Sequence, residues 1–287
     1  MVLNHKGGVL KTTITAHLAG VAAASGWKVL AVDLDPQGNL GRDLGYMGDS
    51  DGGAGLLAAL TNGDELQPLE GVRPGLDVVA GGPATAQAAS HLTSQAMAGR
   101  VGKAAQSLER ALAPVAGGYD LIVFDCPPGE ALIHTAAMTA AHYVLIPTQP
   151  DDASIDGLGR VFGQFIEVRA STNAEVEILG VVLGPIPAGA VAIERRAREK
   201  LIELLGPDVR IFDTTVRLAQ QAAVDCRERG VLAAEYEAEA VAAGPWIRVR
   251  RGPRYSRAAS GLAGDYTALA KEVIGAMTGQ AAPREVV

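Results

Sequence analysis

Nine consecutive residues near the start of the chain combine the types that bind a polyphosphate: His5-Lys6-Gly7-Gly8-Val9-Leu10-Lys11-Thr12-Thr13. Glycines let the backbone curl so that successive N–H groups face an anion, and a helix that begins there adds its dipole. In such a loop Lys11 reaches the β- and γ-phosphates and the Thr12 hydroxyl ligates Mg2+. The plain alternative is a glycine-rich turn before a helix. The order of strand, loop, Lys-Thr and helix favours phosphate. Two carboxylates accompany the loop. Asp35 follows an apolar run by one turn and Asp125 ends another, which places both at the carboxyl edge of buried strands, where open α/β sheets bind ligands. Asp33 lies inside its run and reads as structural. Cys126 has no histidine at a suggestive spacing and reads as a small buried thiol. The five histidines form no HxxxH or HExxH pair, which argues against zinc, and His5 reads as a loop residue without a chemical role.

These groups need a scaffold, and the pattern predicts one. Short apolar runs at 2–4, 28–33, 76–79, 120–125, 143–147, 178–183 and 209–212 alternate with longer helical stretches. Most runs are continuously apolar, as in strands buried on both faces, so the expected fold is a doubly wound α/β domain with a mostly parallel sheet. Ile14, Leu18, Val21 and Ala22 recur at helical spacing, which predicts a helix over 11–25 capped by Gly26. Tyr266, Leu269, Val273, Ile274 and Met277 form a similar stripe in a last helix. Residues 1–277 are read as one domain, with 278–287 a flexible tail. Only residues 1–4 precede the loop, short for a central strand, so the sequence reads as one whose start omits several residues.

Composition limits the alternatives. The chain has 287 residues, of which 48% are hydrophobic, 4% aromatic and 20% charged, enough apolar material for a large core and too little charge for wholesale disorder. A formal charge of −7 means that any nucleic-acid contact must use a local basic patch. Two cysteines a hundred positions apart fit a reducing cytosol and exclude a paired-cysteine metal knuckle or iron–sulfur ligation. No apolar run is long enough to span a bilayer.

The loop resembles the deviant Walker A motif, KGGxGK[ST], of the ParA/MinD family of P-loop ATPases. Val32-Asp33-Leu34-Asp35-Pro36-Gln37-Gly38-Asn39 is similar to that family's switch I, and Leu121-Ile122-Val123-Phe124-Asp125-Cys126-Pro127-Pro128 to its Walker B and switch II. The segments 143–149 and 209–218 also resemble later parts of the family, so the likeness covers most of the chain. It implies an ATPase with ATP and Mg2+ as cofactors, bound through Lys6, Gly7, Gly8, Val9, Leu10, Lys11, Thr12 and Thr13. Lys6 would cross a dimer interface to the partner's nucleotide, Asp35 would position the attacking water, and Thr12, Asp35 and Asp125 would hold the metal. One departure matters: Leu10 stands where the family has Gly. Should the position need φ > 0, the strain is of order 1 kcal/mol or more; in an αR or β conformation Leu is tolerated.

The resemblance further implies plasmid or chromosome partition, with an ATP-dependent homodimer, nonspecific DNA, a centromere-binding ParB-like partner and a cytoplasmic, nucleoid-associated location. Arg217 matches a family segment that carries a DNA-binding arginine. Arg195, Arg196 and Arg198 lie on an earlier helix, after the segment 184–189, where Glu–Arg pairs on a solvated face are the plain reading. The arginine-rich insertion over 244–264, with Arg248, Arg250, Arg251 and Arg254 and no acid, has the better claim to DNA. A MinD-like membrane role would need a basic amphipathic C-terminal helix, which Gly279 and Pro283 interrupt. A nucleotide-switched scaffold with little hydrolysis is the remaining alternative, and an operator-binding helix-turn-helix has no room before Lys6.

Overall fold

The computed structural model describes residues 1–243 and 255–279. After the loop, α1 (Lys11–Ala24) leads to β1 (Val29–Asp33), α2 (Leu40–Asp43) and α3 (Ala54–Asn62). Next come β2 (Leu69–Arg73), β3 (Leu76–Val79), α4 (Pro83–Met97), α5 (Val101–Ala105), α6 (Ser107–Ala116) and β4 (Leu121–Asp125). Then follow α7 (Ala131–Ala140), β5 (Tyr143–Thr148), α8 (Asp152–Asp156), α9 (Leu158–Ser171) and β6 (Glu177–Leu183). The chain continues with α10 (Val191–Leu205), α11 (Gln220–Arg229), α12 (Ala233–Ala242) and α13 (Ala259–Met277).

The strands lie in the order β2-β3-β1-β4 and β5-β6, parallel except for β2. Residues 1–3 join the two sets. Val2 bridges both Asp125 and Leu145, its N–H donating to the Phe124 carbonyl at 2.9 Å, while Leu3 N–H donates to Leu145 at 3.0 Å. Side chains alternate between two cores. Leu30, Val32, Phe124, Val144 and Ile146 pack on one face; Val29, Ala31, Val123 and Leu145 join α1 and α13 on the other. This is the doubly wound arrangement that continuous apolar strands require.

Four expectations change. The strand expected at 2–4 is reduced to a bridge, because Asn4 already turns into the loop: its Nδ2 donates to Pro147 O and its Oδ1 accepts from Lys6 N–H. At 209–212 only Ile211 pairs, with Val181. The antiparallel edge strand β2 has no counterpart among the expected strands, since Leu-Glu-Gly-Val-Arg is half exposed and broken by Gly71 at φ 66° and a register shift. The stretch expected as an insertion over 244–264 is helical from Ala259 onward; its Arg248, Arg250, Arg251 and Arg254 lie outside the described residues, as does 280–287 of the expected tail. No helix among the described residues is long and apolar enough to cross a membrane.

Candidate nucleotide site

The loop leaves the sheet between β4 and β5 and passes directly into α1. Gly8 and Leu10 both take the left-handed conformation, at φ 77° and 68°, and Leu10 is the one non-glycine to do so among the described residues. The position therefore demands φ > 0, and a branched side chain there carries strain of about 1–2 kcal/mol. Leu10 offsets part of it by packing, half-buried, on the α1–α13 core, and its carbonyl accepts the first bond of α1 from Ile14 N–H at 2.8 Å. Lys11 curls back over the loop, donating from Nζ to the Lys6 carbonyl at 2.8 Å. Burial pulls its pKa down, while Asp125, Cys126 and Asp35 oppose that shift.

Asp125 is fully buried at the end of β4. The Thr12 hydroxyl approaches it, yet neither carboxylate oxygen completes a hydrogen bond among the described residues. Burial first, then the charge of Asp33, pushes its pKa well above the carboxylate range. An orphaned buried carboxylate beside a lysine and a threonine is costly alone and suits a hydrated dication. The residues present thus fit Mg2+ and a polyphosphate. Asp33 differs. Its Oδ1 accepts from Asp35 N–H at 2.9 Å and its Oδ2 from Leu40 N–H at 3.3 Å, so it shapes the turn after β1 as its position in the strand suggested. Burial raises its pKa to about 7. Asp35 is buried, with Oδ1 capping Gln37 N–H at 2.8 Å.

A cavity of about 430 Å3 runs along Gly7, Gly8, Lys11, Thr12 and Asp35, and Arg227 of α11 also lines it. Such a volume and a few convergent polar groups are usual for a small-molecule site.

Lys6 points away from the loop. Its Nζ lies 3.0 Å and 3.1 Å from the two Asp151 oxygens and donates to Ser154 Oγ. Asp151 caps α8 by accepting from Ser154 N–H at 2.9 Å. Sequence reasoning missed Asp151 and Ser154, although Asp151-Asp152-Ala153-Ser154 is a legible cap. His5 packs edge-on against His134 at 4.8 Å, and the Cys126 thiol is buried with its pKa pushed up by desolvation, as a structural thiol should be.

The late arginines divide. Arg217 forms a two-pronged pair with Asp265 of α13, Nε to Oδ2 at 2.7 Å and Nη2 to Oδ1 at 2.8 Å. Arg198 bonds Glu194 and the carbonyls of Phe212 and Asp213. Arg195, 75% exposed, approaches Glu199 at 3.8 Å. Arg196 makes no ion pair among the described residues. Arg195 and Arg198 thus each face a glutamate of their own helix.

The family model described as AAA domain matches residues 1–178. The chromosome partitioning protein ParA of Myxococcus xanthus is 34% identical over 186 residues, which are 63% of this chain and 62% of that protein. The chain thus spans less than two thirds of that relative's length. The chromosome-partitioning ATPase Soj of Thermus thermophilus is 32% identical over 76% of this chain and 81% of its own. Among solved structures, the ATP complex of a single-residue variant of Cyanothece McdA superposes with a TM-score of 0.74 at 21% identity, over 96% of this chain and 95% of that one. With the loop, the two carboxylate-bearing strand ends and these likenesses in agreement, the chain belongs to the ParA/MinD family of P-loop ATPases.

Proposed function

We propose that this chain binds and hydrolyses ATP and uses the cycle to position DNA, as a partition ATPase. The observation that carries this reading is the unpartnered, buried Asp125 carboxylate beside Lys11 and Thr12, two residues that line a cavity along the glycine loop. Mg2+, when bound, supplies charge neutralisation at the β- and γ-phosphates, and Thr12, Asp35 and Asp125 would hold it. The loop N–H groups from Gly7 to Thr13 and the Lys11 ammonium bind the phosphates. Asp35, fixed by its bond to Gln37, orients the attacking water. Lys6 is held in its own chain by Asp151 and Ser154; in an ATP-bound dimer it would leave them for the partner copy's phosphates.

DNA contact in this reading falls to Arg196 and the arginines at 248, 250, 251 and 254, with Arg195 at the margin. Arg198 and Arg217 act by fixing the surface that presents them, since their guanidinium groups are already engaged. A separate ParB-like protein would stimulate hydrolysis and release the dimer, and the nucleoid would be the place of action. The names of the ParA and Soj relatives support this reading.

Anisotropy of a random-sequence duplex at low salt, with ATP·Mg2+, ADP·Mg2+ or no nucleotide, tests it. Binding confined to ATP is expected; equal binding in all three states overturns the switch. A second reading, a nucleotide-switched scaffold with little hydrolysis, is favoured by the strained Leu10 alone. Phosphate release close to zero with ATP-dependent DNA binding intact would select it.

A further inference from the structure

Among the described residues four arginines are held by a carboxylate from another element, Arg73 and Arg217 through paired bonds and Arg227 and Arg229 through one each. Arg73 and Arg217 use the two-pronged geometry of a structural pair: Arg73 bonds both Glu235 oxygens, at 2.6 Å and 2.8 Å, and Arg217 both Asp265 oxygens. Arg227 instead gives Asp43 only its Nε, at 2.7 Å to Oδ1. Asp43 is 6% exposed, and its second oxygen, Oδ2, is buried without a partner. The two terminal guanidinium nitrogens of Arg227 make no hydrogen bond among the described residues. A pair that leaves both a buried carboxylate oxygen and the arginine's two outer nitrogens without partners leaves those nitrogens free for something else.

Their surroundings say for what. Arg227 and Asp43 line the same cavity as Gly8, Lys11 and Thr12. Lys11 and Arg227 are the cations of that lining, since Lys6 is drawn off by Asp151. Asp43 closes α2, which begins one residue after Asn39 and is pinned at its start by Asp33 through Leu40 N–H. We propose that Arg227 is a phosphate-reading positioning residue: Asp43 holds it by Nε so that its terminal nitrogens meet the γ-phosphate of a bound nucleoside triphosphate. It thereby ties α11 to the segment 35–39. This inference rests on the ATPase reading of the site.

The test measures equilibrium binding of fluorescent mant-ATP and mant-ADP, each with Mg2+, to the full chain and to Arg227→Ala, Arg227→Lys, Asp43→Asn and Lys11→Ala. The expected result is a tenfold or larger loss of mant-ATP affinity in Arg227→Ala with mant-ADP changed less than threefold. Arg227→Lys should restore less than half of that loss, because an ammonium cannot be oriented through Nε. Asp43→Asn should reproduce the ATP-selective loss in part. Equal losses for both nucleotides would reduce Arg227 to a structural contact and overturn the proposal, and so would no loss for either. Should Arg227→Ala not fold, by circular dichroism, the Arg227→Lys ratio of ATP to ADP affinity decides in its place. Failure of the unaltered chain to bind either nucleotide would overturn the ATPase reading itself, and the proposal with it.

Discussion

The loop region and the late-chain arginine region are both rich in charge, yet they treat it oppositely. Around the loop, polar atoms are buried and left bare: both oxygens of Asp125 and one of Asp43. Around α10 and the segment 212–217, the charges satisfy one another, Arg198 with Glu194 and two carbonyls, Arg217 with Asp265. A buried polar atom without a partner costs the folded chain about 1–3 kcal/mol, so its persistence marks a place where a ligand completes the structure. An engaged arginine marks structure instead. The difference teaches where in this fold stability yields to function.

The largest effect should come from removing that bare charge. Asp125→Asn should lower ATP hydrolysis by about 100-fold or more, since a preorganised charge-stabilising group is lost. It should also stabilise the nucleotide-free protein against urea by about 1–2 kcal/mol, because a buried unpartnered carboxylate becomes a neutral amide. The folded-state pKa of Asp125 is raised, so the wild-type carboxyl destabilises the fold increasingly as pH rises above 3.8. The gain in Asp125→Asn should therefore be larger at pH 8 than at pH 5. An equally destabilised variant at both pH values would erase the contrast between the two regions.

His17 sharpens the contrast from within the loop region, for it lines the cavity with both ring nitrogens engaged. Its Nδ1–H donates to Thr13 O at 2.7 Å, and its Nε2 accepts from Ala233 N–H at 3.0 Å, the tautomer that these partners require. The ring also stacks on Tyr266 at 3.8 Å. It should govern stability rather than nucleotide binding. Desolvation lowers its pKa to about 4 from 6.5, so the folded state holds it neutral. Its contribution is complete above pH 6.5 and is lost as pH falls toward 4, by up to about 3 kcal/mol. His134, lowered to about 4 by the same cause, adds to that acid limb. Urea unfolding of His17→Gln between pH 7 and 4.5 should show a shallower acid slope than the parent chain. An unchanged slope would place the acid sensitivity elsewhere.

What the sequence made legible follows the same division. The loop, Asp35 and Asp125 could be read because strand, turn and helix place them locally, within a few residues of the apolar runs that position them. The parallel strands were legible from β-branched runs buried on both faces; β2 was not, because its side chains are half exposed and Gly71 bends it. Arg227 and Asp43 were invisible for a different reason. They lie 184 positions apart, and only the packing of α11 on α2 brings them together. Nor could spacing reveal that Arg198 and Arg217 are engaged, since Asp265 lies 48 residues beyond Arg217.

Leu10 comes next in magnitude. Replacing it with glycine should remove about 1–2 kcal/mol of left-handed strain, offset by about 0.5–1 kcal/mol of glycine entropy and by the packing lost against α1 and α13. Net stability should change by less than about 1 kcal/mol. The loop, freed to settle around phosphate, should bind ATP several-fold more tightly, which isothermal titration of Leu10→Gly would measure. Weaker binding would show that the leucine side chain itself contributes to the nucleotide site.

The smallest effect tests the arginine side of the comparison. Arg217, 42% exposed, pairs with an Asp265 that is 14% exposed, and Gly261 lets the guanidinium lie flat against α13. Arg217→Ala should cost about 0.5–1 kcal/mol, the upper range for a partly exposed ion pair, by loosening α13. Arg196→Ala removes no ion pair among the described residues and should leave the melting temperature unchanged. Against DNA the order reverses. A phosphate-contacting arginine lowers the slope of log affinity against log salt by about 1 when removed, whereas an engaged one does not. The salt slope should therefore fall in Arg196→Ala and persist in Arg217→Ala. Were Arg217→Ala to flatten the slope while its melt stayed put, the pair with Asp265 would open on DNA, and an engaged arginine could no longer be taken as a sign of structure.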